Sequence, residues 1–183
     1  MGCDIHMYVQ YQNKKQAKET KKQGREPYWW NFGGQMNPGR NYTMFGILAG
    51  VRDWPADENK SFEPRGIPDF GLCYTARGDL YLYIVDDEDG RVDPGENYCT
   101  LEQAQRWRRR IYNNDKGEPW YTEHPDWHSH SWLTTKELAQ AFRWYKKETG
   151  YEPCLEYRVL LKMMKELEDK GENEVVVVFW FDN

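Results

Sequence analysis

The chain has 183 residues, a formal net charge of −5 and an aromatic content of 16%. Its nine tryptophans and thirteen tyrosines can build a core from few large side chains, which excludes a chain that is disordered throughout. The acidic balance argues against a protein that binds nucleic acid in general, although it leaves room for a local basic groove. A chain of this length is predicted to form a single domain over residues 1–183.

The opening segment, MGCDIHMYVQYQ, has the composition of a strand. Because side chains alternate across a strand, Asp4 and His6 share one face, opposite the apolar Ile5. The apolar face can enter a core, and the polar face is either surface or one wall of a site. The next segment, residues 13–27, is almost wholly polar and strongly basic, so we expect an exposed basic loop there.

The middle of the chain is predicted to hold one short helix and one strand. Asn41 can accept a hydrogen bond from an early backbone N–H, which makes it a suitable N-cap for an apolar helix over about residues 42–51. Prolines and turn residues make residues 53–77 mostly loop. The following segment, DLYLYIV at 79–85, has the apolar and aromatic character of a strand.

Two capping boxes mark the start of further helices. Thr100 is followed by Gln103 at the required spacing, which predicts a helix that runs to about Asn113. Thr134 and Glu137 form a second box, and the apolar stripe that follows them points this helix at the core.

The chain closes with a helix and a strand that is apolar on both faces. Residues 155–170 carry apolar side chains at helical spacing. The final EVVVVFWFDN lacks the alternation of a half-exposed strand, which predicts a central strand covered on both faces. We therefore predict an α/β (α+β) fold with a single compact domain, in which a mixed sheet contains the N- and C-terminal strands and is packed by about three helices. This arrangement brings Asp182 towards Asp4 and His6.

The sequence carries no sign of secretion or membrane insertion. Its four cysteines are widely spaced and include no Cys-x-x-Cys pair, so we expect reduced thiols. No apolar run approaches the roughly 20 residues of a membrane span, and no signal-peptide pattern opens the chain. We expect a cytoplasmic protein with no membrane contact.

The four histidines fall in two places, His6 and the segment EHPDWHSHSW. Asp-x-His and His-x-His spacings place two ligands on one face of an extended chain, which suits a divalent metal. The candidate ligands of Zn, Mn or Mg are Asp4, His6, His128 and His130, of which the last two would also be catalytic. Such a metal could lower the pKa of a bound water to about 7 and polarise a phosphoryl oxygen. The alternative is structural, a loop whose histidines bond backbone groups.

A second candidate site combines arginines with aromatic side chains. Arginine binds phosphate through two parallel hydrogen bonds, and aromatic planes stack on a base. The candidate ligand-binding residues are Arg40, Arg52, Arg65, Trp29, Trp30, Tyr42 and Trp54. Such a set would recognise a nucleotide-like ligand without a metal. The alternative is that the arginines brace loops and the rings fill the core.

Five segments together resemble a family of small proteins encoded by bacteriophages and prophages. They are MGCDIH, GRNYTMFGILAGVR, PRGIPDF, HPDWHSHSWLT and the terminal VVFWFDN. The resemblance implies expression inside an infected bacterium, and it does not imply a particular reaction. Small accessory phage proteins often interfere with host defence, and several defence systems signal with nucleotides.

The leading hypothesis is an accessory protein that binds a nucleotide-like ligand and sequesters a host immune signal. One alternative is a metal-dependent phosphoesterase or nuclease. Another is an inhibitor whose exposed tryptophans anchor a host defence protein, as aromatic residues commonly do at interfaces. The sequence leaves the oligomeric state open.

Overall fold

A computed structural model describes residues 2–52, 60–85 and 97–182. The helices in these ranges are α1 (Lys14–Lys22), α2 (Tyr42–Ala49), α3 (Tyr74–Leu80), α4 (Leu101–Trp107), α5 (Thr135–Thr149) and α6 (Leu155–Gly171). The strands are β1 (Ile5–Asn13), β2 (Trp30–Asn31), β3 (Tyr81–Ile84), β4 (Tyr98–Cys99), β5 (Ile111–Asn113), β6 (Pro119–Glu123), β7 (His128–Thr134) and β8 (Asn173–Phe181). Among the described residues, no helix combines the length and the apolar character needed to cross a membrane.

The first and last strands are neighbours in one four-stranded sheet. Its order is β2-β1-β8-β7, and its pairings are antiparallel. β1 pairs with β8 along its full length, with Ile5 opposite Phe181 and Asn13 opposite Asn173. The predicted α+β class and the predicted contact between the terminal strands are confirmed. A second sheet has the order β4-β3-β6-β5, and it contains the parallel pairing, between β3 and β4.

β8 is covered on both faces, as its unbroken apolar run predicts. Val177, Phe179 and Phe181 belong to a core formed with α2, α5 and α6. Val178 and Trp180 belong to a second core, shared with α3 and the second sheet. Burying one large apolar side chain contributes about 1.5–3 kcal/mol, so a strand that is apolar on both faces is stabilised most at the centre of the fold.

β1 alternates as predicted. Ile5 and Met7 lie in the first core. Tyr8 lies in the second core, and His6 contacts Trp180 on that same side. The polar face of β1 is therefore covered by other parts of the protein and forms one wall of a site.

The basic segment at residues 13–27 is largely exposed, as predicted, but its central part is not a loop. Lys14–Lys22 form α1, which Asn13 caps by accepting a hydrogen bond from Gln16 N. Lysine, glutamine and alanine are good helix formers, and the segment has no buried residue to give it an apolar stripe. Intrinsic propensity and capping, rather than amphipathic periodicity, account for this helix.

Two predicted boundaries are also corrected by the structure. α4 begins at its predicted capping box but ends at Trp107 instead of Asn113, because Arg108 adopts a left-handed backbone conformation with a φ of 55°. The strand predicted from residue 79 begins at Tyr81, since Asp79 belongs to the last turn of α3. The helix α3 itself was not predicted, and it matters because it carries Asp79 to the polar face of β1.

The capping box of α5 is confirmed, and it leads to a testable prediction. Thr134 Oγ1 accepts a hydrogen bond from Glu137 N at 3.3 Å, and Glu137 Oε2 accepts one from Thr134 N at 2.9 Å. Replacing Thr134 with alanine is expected to lower the free energy of unfolding in urea by about 1 kcal/mol, because a helix N–H loses its acceptor. Thr134→Ser keeps the hydroxyl and is expected to retain most of that stability. Equal losses in the two variants would contradict the role of the cap.

Candidate functional site

His6 is held between two carboxylates that come from distant parts of the chain. Its Nδ1 lies 3.2 Å from Asp79 Oδ2, and its Nε2 lies 3.2 Å from Asp182 Oδ2. The side chain of His6 is 13% exposed, and those of Asp79 and Asp182 are 30% and 26% exposed. Asp182 Oδ1 also accepts a hydrogen bond from Asp4 N at 2.7 Å, which confirms the predicted proximity of these residues. We refer to Asp79, His6 and Asp182 as the His6 triad.

These contacts favour the charged form of His6. Burial of the ring acts to lower its pKa, but the hydrogen bonds and charges of Asp79 and Asp182 outweigh burial and raise the pKa above its ordinary 6.5. A ring whose two nitrogens both donate to carboxylates has no lone pair left for a metal. Gln35 Nε2 lies 2.8 Å from Nδ1, and a half turn of that amide presents its oxygen to the protonated ring.

Asp4 forms a separate ion pair next to the His6 triad. Arg40 Nε lies 2.7 Å from Asp4 Oδ1, and Arg40 Nη2 lies 2.9 Å from Asp4 Oδ2. The hydrogen-bonded guanidinium lowers the pKa of Asp4. The same guanidinium packs against Gly2, where an added Cβ would lie 2.3 Å from Arg40 Nη1. Asp4 and Arg40 therefore neutralise each other and fix the start of β1.

A cavity of about 820 Å³ opens beside the His6 triad. Its lining includes Tyr8, Tyr74, Tyr83, Tyr98, Arg77, Asp79, Gln35 and Asn97. Tyr8 Oη donates a hydrogen bond to Asp79 Oδ2 at 2.9 Å, which links the cavity to the triad. Burial, followed by the charge of Asp79, raises the pKa of Tyr8, so its hydroxyl stays protonated and acts as a donor. We refer to this space as the tyrosine cavity.

Trp127 supplies an aromatic wall for the His6 triad. Its ring centroid lies 4.4 Å from that of His6 and 4.1 Å from that of His124. Its Nε1 donates a hydrogen bond to the backbone oxygen of Asp79 at 2.9 Å. Trp127 thus helps to hold the end of α3 against β1 and limits access of water to the triad.

The structure does not assemble the predicted metal site. β8 lies between β1 and β7, and its successive side chains point to opposite faces. The ring of His6 stacks 6.2 Å from that of Trp180, whereas the ring of His128 stacks 6.0 Å from that of Phe181 on the opposite face. Within the described ranges, no group of three or more His, Cys, Asp or Glu side chains is arranged to hold a metal ion. Alternation therefore places His128 on the face opposite His6. The ring of His130 lies 6.2 Å from that of Trp180 on the face of His6, but strand order puts β8 between β7 and β1.

His128 and His130 lie on β7, in a segment predicted to be a loop. The strand is irregular between His128 and Ser131, and Ser129 adopts a φ of 51°. Burial, followed by the charges of Arg109 and His128, lowers the pKa of His130 to about 4. The Nε2 atoms of both histidines are buried without a hydrogen-bond partner among the described residues. Neither residue lines the tyrosine cavity, so the structure gives the predicted catalytic pair no place beside it.

Two of the predicted arginines brace separate parts of the fold. Arg65 Nη1 lies 3.1 Å from Glu137 Oε2, and its guanidinium lies 4.7 Å from the ring centroid of Trp132. Arg52 packs over the ring of Tyr42, with 5.7 Å between the guanidinium carbon and the ring centroid. Together with the ion pair of Arg40 described above, these contacts favour the alternative in which the arginines brace loops instead of binding a ligand.

The predicted aromatic residues are also distributed over different surroundings. Trp29 is buried in the second core. Trp30 and Tyr42 are exposed by 52% and 43%, and Trp54 lies outside the described residues. None of the predicted ligand-binding residues is part of the described lining of the tyrosine cavity. The arginine in that lining is Arg77.

Sequence reasoning missed the residues that line the tyrosine cavity. The alternation of β1 already placed Tyr8 on the face of His6, and this signal could have identified it. Arg77 and Asp79 lie in TARGDLYLYIV, where a short helix runs directly into a strand. No capping side chain marks the start of that helix, so the local sequence offered little evidence of where these two side chains would lie.

Comparison of the chain with protein-family models, with curated proteins and with solved structures gave no match. The resemblance to a phage-encoded family therefore stays a prediction. The function proposed for the protein is therefore based on the geometry of the His6 triad and the tyrosine cavity.

Proposed function

We propose that the tyrosine cavity binds a nucleotide-like ligand, meaning a planar ring joined to an anionic group. The observation that carries the proposal is the convergence of four tyrosines and one arginine on a single cavity of about 820 Å³. Aromatic rings stack on the planar face of a base. A guanidinium is the side chain best suited to phosphate, because its planar fork matches the phosphate oxygens.

The size and polarity of the cavity fit a ligand of this class. Small-molecule sites typically measure about 300–1,000 Å³ and combine apolar walls with a few placed polar groups. Here the polar groups are the carboxylate of Asp79 and the amides of Gln35 and Asn97. Asp79 is held by contacts to His6 and Tyr8, so its carboxylate can accept a hydrogen bond from a base edge in a defined direction.

Arg77 is oriented by an aromatic contact. Its guanidinium carbon lies 5.9 Å from the ring centroid of Tyr121. A cation–π contact of this kind uses the face of the guanidinium and leaves its N–H edge for an anion. Arg77 would therefore contact the phosphate, while Tyr74, Tyr83 and Tyr98 contact the ring. Tyr8, which is 3% exposed, orients Asp79 through its hydroxyl.

The biological role that we propose is sequestration of a nucleotide signal inside an infected bacterium. Its support is the sequence resemblance to phage-encoded proteins together with the chemistry of the tyrosine cavity. The His6 triad serves this role by positioning Asp79 and Tyr8, and it requires no reaction of the ligand.

Replacing Arg77 with glutamine tests the proposal. Titration calorimetry with a panel of cyclic and linear nucleotides is expected to show binding to the wild-type protein and at least about tenfold weaker binding to Arg77→Gln, because a charge-assisted phosphate contact is lost. Arg106→Gln is the matched control, since Arg106 is 71% exposed on α4 and pairs with Glu102. Absence of nucleotide binding by the wild type, or an equal loss in the control, would contradict the proposal.

Recovery of the bound ligand separates sequestration from hydrolysis. The protein is incubated with a nucleotide that binds, then heated, and the released material is analysed by mass spectrometry. Intact nucleotide is the expected result. A cleaved product that disappears in the presence of a chelator would instead favour the metal-dependent phosphoesterase.

A further inference from the structure

Helix α1 is a strongly basic element in an acidic protein. Residues 14–25 carry six cationic side chains and one carboxylate, a local charge of +5 in a chain whose formal charge is −5. No residue of α1 is buried, so the helix is not part of either core. It is fixed instead at its N-terminus, where Asn13 caps it and Lys14 N donates a hydrogen bond to Glu172 O at 3.2 Å. A helix held in this way presents its charges to solvent.

The lysines of α1 converge on one shallow cavity of about 560 Å³. Its basic lining consists of Lys14, Lys18, Lys21 and Lys22. Positions 14, 18 and 22 follow a spacing of four, which places like charges side by side on a helix, where they repel each other. Glu174 also lines the cavity, and Lys22 contacts Glu19 at 2.9 Å. An anion bound in this cavity would relieve the remaining repulsion.

Exposed aromatic rings lie on the other side of α1. A cavity of about 620 Å³ is lined there by Tyr28 and Trp30, and its charged lining residues are Lys15 and Glu19. The two rings meet edge to face with 4.8 Å between their centroids, and each residue is 52% exposed. Gln12 and Ala17 line both cavities, so the two cavities adjoin, with the lysines on one side of α1 and the aromatic rings on the other. We refer to the two adjoining cavities together as the α1 surface.

We infer that the α1 surface binds single-stranded nucleic acid. Lysine ammonium groups neutralise phosphates, and exposed aromatic rings stack on unpaired bases. A duplex keeps its base faces covered, and an acidic peptide would engage the lysines but not the rings. The overall negative charge predicts no general nucleic-acid binding. The local charge of residues 14–25, however, is positive.

Fluorescence anisotropy with a labelled thymidylate oligomer of about 12 nucleotides tests this inference. The double variant Lys18→Gln/Lys21→Gln is expected to bind about tenfold more weakly, and to reduce the slope of log affinity against log salt by about 1.4, since each phosphate contact on a single strand contributes about 0.7. The control is Lys162→Gln/Lys165→Gln, which removes two exposed lysines at the same spacing on α6. Its affinity is expected to stay within about twofold of the wild type.

The contribution of base stacking is tested separately. Trp30→Ala is expected to weaken binding of the thymidylate oligomer about fivefold or more, and an abasic strand of the same length should bind the wild type more weakly by at least as much. Circular dichroism checks that each variant is folded. Equal binding of abasic strand and thymidylate, or of polyglutamate and thymidylate, would overturn the inference in favour of a purely electrostatic surface. Absence of binding by the wild type, or equal losses in the two lysine pairs, would overturn it as well.

Discussion

Replacing His6 with alanine is expected to lower the free energy of unfolding by about 2–3 kcal/mol at about pH 6. The variant removes the cation that lies between Asp79 and Asp182, and leaves two carboxylates facing the same small space. Breaking a fully buried ion pair costs about 3–5 kcal/mol, and the partial exposure of both carboxylates reduces that cost here. Urea unfolding followed by tryptophan fluorescence measures the change, since Trp127 and Trp180 both contact the His6 ring.

His124→Ala is the matched control for this experiment. His124 stacks on the same Trp127 ring, but its carboxylate neighbour Asp126 lies at 4.0 Å and is 70% exposed. Its loss is expected to stay below about 1 kcal/mol. Equal losses in the two histidine variants would show that packing against Trp127, rather than the His6 triad, is being measured. Combining His6→Ala with Asp182→Asn should cost less than the sum of the single changes, because the two residues interact directly.

The contribution of His6 also has a defined pH dependence. Folding raises the pKa of His6 above 6.5, so the folded state binds the proton more tightly than the unfolded state does. The stabilisation is therefore complete below about pH 6.5 and is lost as pH rises through the folded-state pKa. The difference between wild type and His6→Ala is expected to shrink as pH rises above neutrality. A difference that grows with pH would contradict the charged triad.

Acid is expected to destabilise the protein through His130. The folded state keeps this ring neutral, with a pKa of about 4 against an ordinary 6.5, so only the unfolded state takes up the proton between these values. His130 alone is expected to lower the free energy of unfolding by about 2–3 kcal/mol between about pH 7 and about pH 4. The sign is opposite to that of His6, whose contribution is lost as pH rises.

Comparison with His130→Gln isolates this effect. Glutamine cannot take up a proton, so the variant lacks the acid-dependent loss that His130 causes. The hydrogen bond to Arg40 lowers the pKa of Asp4, and for Glu137 burial is outweighed by hydrogen bonds to Arg65 and Thr134, which lower its pKa. Both groups also destabilise the fold in acid, but they do so in both proteins and cancel in the difference. Urea unfolding at a series of pH values gives that difference. Curves for the two proteins that run parallel between about pH 7 and about pH 4 would contradict the prediction.

The centre of the fold was predictable because each of its signals is local and strong. A strand that is apolar on both faces, such as Val175–Phe181, is stable only where both faces are covered. The alternation of β1 likewise specifies which face meets the core. The capping boxes at Thr100 and Thr134 form within four consecutive residues, so they need no tertiary information.

The second sheet and α1 were not predictable in the same way. β4 has two residues and β5 has three, which is too short for periodicity to distinguish a strand from a loop. Those strands depend on tertiary contacts, such as the packing of Tyr112 in β5 against Tyr81 at 5.4 Å between centroids. α1 has no apolar face, so its sequence shows no apolar residues at helical spacing from which a helix could be predicted.

One side of the candidate site could be predicted from the sequence, and the other side could not. The contact between His6 and Asp182 follows from the pairing of the first and last strands, which sequence patterns indicate. The partner on the other side of the ring, Asp79, depends on where α3 ends and how it packs against β1. The separation of His6 from His128 depends on strand order, which the sequence does not specify.

The pairing of β1 with β8 also sets the order of events during biosynthesis. The hydrogen bond between Asp4 and Asp182 joins positions 178 residues apart. Before β8 is made, the partners of β1 among the described residues are the two-residue β2 and a single bridge between Met7 and Met36. Contacts this distant in sequence form late and slowly, and leave apolar surface exposed in the meantime. The nascent chain must therefore keep the apolar side of β1 from aggregating until β8 leaves the ribosome. The central pairing of this sheet thus forms only after β8 has been synthesised.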